Sequence, residues 1–433
     1  MAYNKTEHLR RNIEAIRTAF ALEREQRAAT PEERDVLRAY SGFGAIKEVL
    51  EPLPHKKGTA LTPLIEELHA VLKENTGSER EYKRYLDGLK ASVLTAFYTP
   101  EPVTDAIMRK LYNAGVVPVY ALEPSAGTGA FAEYLRRYNE EAEITCFEKD
   151  PLTGLILHRL HPDDTVRVQG FETIEPAYEG HFDLITSNIP FGDVSLFDPA
   201  FSSSRDPVRR QGAWAIHNYF FMKSVDLVRD GGLVAFITSQ GMADAERNRP
   251  VREWLMERCD LIAAVRLPNN LFTEYAGTEV ASDLVVLQKQ SEKRKLTPDE
   301  QRFVNSSEIG NGIYLNDYHR DFKHAIHTTV SHEKGLYGQS SLVLHYDGGP
   351  ERIAERLRGI LANDFAARLD TERYTQYLRP LHIPQAQTVP PIARRQNRVA
   401  APQSVPPPEP ASVAPTPEIS APAASLFGSA AAV

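Results

Sequence analysis

Between residues 119 and 289 the chain alternates short apolar runs with longer amphipathic ones, and this rhythm limits the fold more than any other feature. Segments 119–123, 144–148, 166–168, 183–187, 233–238, 261–266 and 283–289 are short, rich in β-branched residues and bounded by turn formers. They read as buried strands. Segments 130–138, 151–160, 214–228 and 250–257 carry helical spacing. Strand and helix in alternation predict a doubly wound, mostly parallel α/β sheet of seven strands, with ligands at the carboxyl ends of the strands.

The flanks differ. Residues 1–95 read as a helical region, with Leu9, Ile13, Ile16 and Phe20 on one face and capping boxes at Asn4/Glu7 and Thr30/Glu33. Ser41-Gly42-Phe43-Gly44 interrupts it, either to turn the chain or to touch a ligand, before a helical run at 45–50. Residues 96–290 carry the sheet, and 291–380 form a mixed region with a helix at 352–361. Residues 381–433 hold eleven of the 30 prolines among Ala and Ser, a composition that reads as a disordered tail. A net charge of −8 leaves any nucleic-acid contact to a local basic face. The two cysteines, Cys146 and Cys259, sit in apolar runs as small core residues, with no disulfide or zinc spacing. No leader-like start or 18-residue apolar run is present, so a soluble cytoplasmic protein is expected.

Three sequence stretches carry chemistry. The first is Glu123-Pro124-Ser125-Ala126-Gly127-Thr128-Gly129, between a strand and a helix. Its glycines permit a tight turn and close backbone approach. The absence of a third glycine and of a lysine argues against a pyrophosphate cradle, while the acid suits a ligand bearing an ammonium. The second is Glu148, which ends the next strand where a carboxylate can take two ribose hydroxyls. The third is Ser187-Asn188-Ile189-Pro190-Phe191-Gly192, after a buried strand. These are also ordinary turn residues. Yet Pro190 keeps Ile189 extended, which fixes its carbonyl, and Asn188 adds a side-chain acceptor. Two acceptors beside the Phe191 ring form a slot for a planar group bearing NH2. Upstream, Tyr98-Thr99-Pro100 reads as a helix start, with Thr99 as N-cap and Pro100 at the first helical position.

Tyr98-Thr99-Pro100, the 123–131 loop, Glu148 and Asn188-Ile189-Pro190-Phe191, in that order, resemble the motifs of N6-adenine DNA methyltransferases, which use S-adenosylmethionine. Arg266 to Phe272 followed by 283–287 is similar to the methylase subunit of type I restriction systems. Ser41 to Gly44, 187–193 and Ile216-His217-Asn218-Tyr219-Phe220 look like the methylase portion of methylase–helicase proteins of bacterial conjugative elements. The resemblance implies a Rossmann-like methyltransferase sheet. It implies S-adenosylmethionine held by Tyr98, Thr99, Pro100, Glu123, Pro124, Ser125, Ala126, Gly127, Gly129 and Glu148. It also implies methyl transfer to N6 of a flipped-out adenine at Asn188, Ile189, Pro190 and Phe191, without a metal.

Ile189 replaces the usual first proline of that turn, and no clear acid follows the third strand, where Gln169-Gly170-Phe171-Glu172 stands. Phe171 suits either adenine stacking or core packing. Double-stranded DNA is the expected partner, contacted by Arg205, Arg209 and Arg210 in the segment 195–214 unless that segment is an ordinary surface loop. No helicase motif follows, so a helicase or a restriction-type subunit is expected to be a separate chain. Two other functions fit the same motifs: N5-methylation of a protein glutamine, and DNA binding by a catalytically silent relative. Deleting residues 390–433 is expected to leave melting temperature and methyl transfer nearly unchanged. A large drop in melting temperature would show that the tail docks on the folded part.

Overall fold

The computed structural model describes residues 4–44, 46–51, 58–95, 97–191, 194–273, 277, 279–293, 295–334 and 340–379. The 381–433 tail expected from composition, and Gly192 at the end of the predicted turn, lie outside them.

The N-terminal region holds helices α1 (Lys5–Glu25), α2 (Pro31–Arg38), α3 (Thr62–Glu74) and α4 (Glu79–Thr95). Leu9, Ile13, Ile16 and Phe20 are buried in one apolar cluster with residues of α3 and α4. The Thr30/Glu33 box forms with both reciprocal bonds. At α1 only half of the expected box forms: Asn4 accepts from Thr6 and Glu7, while the Glu7 carboxylate pairs with Arg11. Ser41–Gly44 is a buried clasp. Asn12 of α1 donates to Gly42 O at 2.5 Å and accepts from Ser41 N at 3.0 Å, and Phe43 is fully buried. After it comes one 3-10 turn, Lys47–Leu50, in place of the expected helical run.

The sheet has seven strands: β1 (Tyr120–Glu123), β2 (Glu143–Phe147), β3 (Thr165–Arg167), β4 (Phe182–Asn188), β5 (Val228–Ser239), β6 (Cys259–Leu267) and β7 (Ser282–Lys289). Their order is β3-β2-β1-β4-β5-β7-β6, parallel except for β7, which runs antiparallel to both neighbours. Strand β5 begins at Val228, before Asp230-Gly231-Gly232, whereas the sequence pattern places a helix to 228 and a strand only from 233. Gly231 takes φ +72 inside the strand and lies against the backbone of Arg373, which leaves no room for a Cβ.

Helices cover both faces. On one side α5 (Glu101–Asn113), α6 (Ala130–Tyr138) and the helix Gly349–Arg368 pack on Ala121, Leu184 and Leu233. On the other, α10 (Ile216–Leu227) and the helix Arg249–Met256 pack on Leu122, Ile185 and Val234. Adjacent strand residues thus serve opposite faces, as the two-residue period requires. Helix α7 (Pro151–Leu160) turns Leu152 and Ile156 to the N-terminal helices. Cys146 and Cys259 are buried and free. Among the described residues no helix is long and apolar enough to cross a membrane.

A buried charge knots the amino ends of the strands. Asp183 accepts from Val119 N and Tyr120 N, each at 2.8 Å, and from Arg229 Nε at 2.5 Å. Arg229 also donates to Tyr374 O at 2.8 Å, in the helix Thr371–Gln376. Arg229→Ala leaves a buried carboxylate without its cation, so it is expected to cost about 3–5 kcal/mol of stability. Urea unfolding measures it, and a loss under about 1 kcal/mol would show that the backbone donors alone satisfy Asp183.

Candidate active site

The carboxyl ends of β1 and β4 open on a cavity of about 490 Å³. Asn188, Ile189, Pro190 and Phe191 line it, as do Tyr98, Thr99, Glu123, Pro124, Ser125, Ala126, Gly127, Glu148 and Phe171. Pro100 and Gly129, named with them from sequence, do not. Pro100 is itself the N-cap of α5, which begins at Glu101, and Thr99 makes no capping bond. A proline has no side-chain acceptor, so the cap here is conformational only. Gly129 is the N-cap of α6 at φ +85, and a Cβ there would strike His161 and Leu157, away from the cavity.

The glycine loop is held by acids. Gly127 has φ +55, a left-handed conformation that disfavours other residues. Its N–H donates to Glu148 Oε2 at 2.8 Å, and Glu148 Oε1 accepts from Asp150 N at 2.8 Å. Burial, reinforced by the negative charge of Asp150, pushes the Glu148 carboxyl up to about 7. A Cβ on Gly127 would lie 3.0 Å from the Tyr98 ring, so loop and tyrosine are in close contact. Glu123 has a different task from the one expected. It is 1% exposed, and its oxygens accept from Phe131 N at 3.4 Å and Ala132 N at 2.8 Å. The carboxyl therefore serves the amino end of α6, and burial pushes it well above the usual carboxylate range. Phe171 lines the cavity and packs on Phe147 and Phe220, with ring centroids 6.0 and 5.0 Å away.

Asn188 closes β4 with its side chain fixed at one end. Its Nδ2 donates to Phe97 O at 2.5 Å. A carbonyl can only accept, so this bond determines which end of the amide faces away. That end, Oδ1, is buried and has no partner among the described residues. Ile189 is 1% exposed, within the apolar cluster on the α10 side, and its N–H donates to Ile237 O of β5 at 3.0 Å. The Phe191 ring stacks on Phe97 at 5.8 Å and 17°, and Phe272 meets it edge-on at 6.3 Å.

Sequence reasoning assigned no role to Phe97, Phe272, Asp150 or Glu172. Phe97 directly precedes Tyr98, and Asp150 follows Glu148 by two residues, so chain proximity was a usable signal. Glu172 lines the cavity just after β3, where the acid of the resembling family is expected, and its carboxylate lies 3.5 Å from Lys149 Nζ.

The basic segment is not an open loop. It holds the short helices α8 (Pro199–Ser202) and α9 (Pro207–Gly212), each capped by the aspartate before its proline. Arg209 is removed from the DNA-contact candidates. It pairs with Asp226 at 2.9 and 2.7 Å and lies over the Phe201 ring at 4.4 Å, so its charge is used within the fold. Arg205 and Arg210 are exposed.

Residues 88–344 match the family described as N-6 DNA Methylase. The chain is similar to the Defense against restriction protein B of Escherichia phage P1, 26% identical over 293 residues that cover 65% of this chain and 12% of the phage protein. It is also similar to the Type I restriction enzyme EcoEI methylase subunit of Escherichia coli, 24% identical over 251 residues, 51% of this chain and 49% of that one. It therefore spans about half of the one relative and a small part of the other. Among solved structures, the type IIG restriction endonuclease BpuSI aligns at 17% identity and a TM-score of 0.39, over 69% of this chain and 39% of that one. The family match spans more than half of the chain and takes in every strand of the main sheet, so the chain belongs to the N-6 DNA methylase family, whose methyl donor is S-adenosylmethionine.

Proposed function

We propose that this chain transfers a methyl group to the exocyclic N6 of an adenine turned out of duplex DNA, with residues 96–290 carrying the reaction. The observation that carries the reading is Asn188 Oδ1, a buried acceptor without a partner among the described residues, on a side chain that lines the cavity shared with the glycine loop. A buried acceptor left open is costly unless a ligand completes it. An NH2 group does so, and the family supplies adenine as the candidate.

The residues fit the cofactor. Thr99 Oγ1 is a second buried polar atom without a partner among the described residues, on a residue that lines the same cavity. Tyr98 and Thr99 would hold the methionine part, residues 124–127 would meet it with backbone, and Glu148 would take the ribose hydroxyls. Phe171 and Glu172 would flank its adenine. When bound, the cofactor supplies an electrophilic methyl group. The chain's own work is then orientation. Asn188 Oδ1 and the Ile189 carbonyl would accept from N6–H, which keeps electron density on nitrogen. Phe191, backed by Phe97, would stack on the extruded base, an interaction of roughly 1–3 kcal/mol that offsets part of the cost of extrusion. The buried Ile189 side chain gives a reason for the missing proline. This position contributes a core residue and an amide donor, and Pro190 alone keeps the carbonyl extended. The helical region 1–95 would buttress the cofactor side through α4 and Tyr40, and any helicase or restriction-type partner would be a separate chain.

Transfer of labelled methyl groups to plasmid DNA, followed by nucleoside analysis, tests the reaction. Asn188→Ala is expected to lower turnover roughly a hundredfold or more while keeping cofactor affinity. If this variant makes N6-methyladenine at the rate of an active wild type, the turn is not the catalytic site. Ile189→Pro is expected to stay within about tenfold in turnover. It should nevertheless melt lower, because Ile237 O loses its donor, at a cost of about 1–3 kcal/mol.

Glu148 adds a pH dependence. Its carboxyl ionises near pH 7, and the ionised form is the better acceptor for ribose hydroxyls. Cofactor affinity is therefore expected to rise about tenfold between pH 6 and pH 8, by proton linkage alone. Calorimetric titration at both pH values checks it. A flat profile would show that Glu148 serves only the loop backbone.

A further inference from the structure

The three most exposed large apolar side chains among the described residues all belong to the segment that follows the turn: Phe197 at 75%, Trp214 at 68% and Val194 at 58%. A backbone bond ties together the two limbs that carry Phe197 and Trp214. Leu196 N donates to Ala213 O at 2.9 Å, which sets the two limbs of the segment side by side with Phe197 and Trp214 just beyond the bonded pair. Val194 and Leu196 also line the cavity that holds Asn188 and Phe191, so the limb that carries Phe197 borders that cavity. A single exposed apolar residue needs no explanation, but a cluster at the rim of a cavity marks a contact surface.

Charge indicates the partner. The acids of this segment are engaged: Asp198 is buried against Tyr219 at 2.7 Å and Lys223 at 3.2 Å, and Asp206 caps α9 and accepts from Trp254 Nε1 at 2.9 Å. Arg210 donates to the carbonyls of Ser204 and Arg205 at 2.6 and 3.2 Å, which leaves its charge uncompensated. Arg205 is exposed beside it. Neither arginine forms an ion pair within the described residues. Flat apolar rings next to uncompensated guanidinium groups match a stack of bases edged by phosphates.

We propose that this rim is the duplex-reading edge of the site. Phe197 and Trp214 stack on the base pairs next to the extruded adenine and fill the gap it leaves, while Arg205 and Arg210 hold the flanking phosphates. The proposal rests on the reading of the cavity as the seat of that adenine. It assigns part of the energetic work of extrusion, beside the stacking on Phe191, to residues outside the catalytic turn.

Trp214 reports on the contact directly, because the other tryptophan, Trp254, is 6% exposed and hydrogen-bonded. Duplex plasmid DNA is expected to quench the emission of the wild-type protein, and the quenching should be lost in Trp214→Phe. The double variant Phe197→Ala/Trp214→Ala is expected to bind duplex roughly tenfold more weakly or worse. Its melting temperature and cofactor affinity should not change, since both side chains project into water. Wild-type duplex affinity in the double variant, or emission indifferent to DNA, overturns the proposal. So does a rim whose removal only dissolves self-association in sedimentation, which would make it a protein-docking face. Methyl transfer measured in parallel separates the two readings. A wild type quenched by duplex yet unable to methylate it removes the proposed reaction and leaves the DNA-facing rim. A double variant as active on duplex as the wild type removes the rim and leaves the reaction.

Discussion

The site depends on the place in the sheet where strand order reverses. Strand β1 pairs with β2 on one side and β4 on the other, all parallel. The chain leaves β1 for α6 on one face, whereas α10 follows β4 on the opposite face. Connections that diverge in this way leave a crevice at the carboxyl ends of the two strands. The amino ends cannot splay in compensation, because Asp183 of β4 binds two backbone amides at the start of β1. One buried carboxylate thus fixes how β1 and β4 meet. Loop 124–127 and the turn 188–191 inherit their separation from it.

Carboxylates near the cavity are used mainly to hold backbone. Glu123 caps α6, Glu148 bridges the amides of Gly127 and Asp150, and Asp150 caps α7 through Leu152 N and Thr153 N. Each satisfies main-chain donors that a strand-to-helix junction would otherwise leave open. The arrangement stiffens the loop before any ligand arrives. It also gathers three acids in a small volume, where burial first, and then the negative charge of Asp150, push the Glu148 carboxyl up to about 7.

Sequence legibility followed locality. Six of the strands carry a buried apolar run and were readable from it, while β3, an edge strand of exposed and half-buried residues, was readable from its place in the alternation. The largest miss was the start of β5, where Asp230-Gly231-Gly232 lies inside the strand. The turn at Asn188 was readable because its residues are contiguous. Its clamp was not, because Phe97 O lies 91 residues upstream. Arg209 misled for the same reason: a charge in a basic stretch looks free until Asp226, 17 residues on, comes beside it. Thr99 misled differently. A threonine before a proline has the composition of a cap, but here Pro100 holds the N-cap position itself.

The link from Arg229 to Tyr374 has a consequence for synthesis. The cavity is complete in sequence once Phe220 has been made, yet the sheet beneath it draws on residues much nearer the carboxyl end. Helix Gly349–Arg368 covers α5 and β6, and Gln288 of β7 bonds to Asp370. A chain emerging from the ribosome therefore carries every motif of its family well before it can close the core that supports them. During that interval one face of the sheet is uncovered, a state in which partly made chains aggregate. Motif order and the order of structural completion are different properties of this chain, and a fragment cut to fit the first does not satisfy the second.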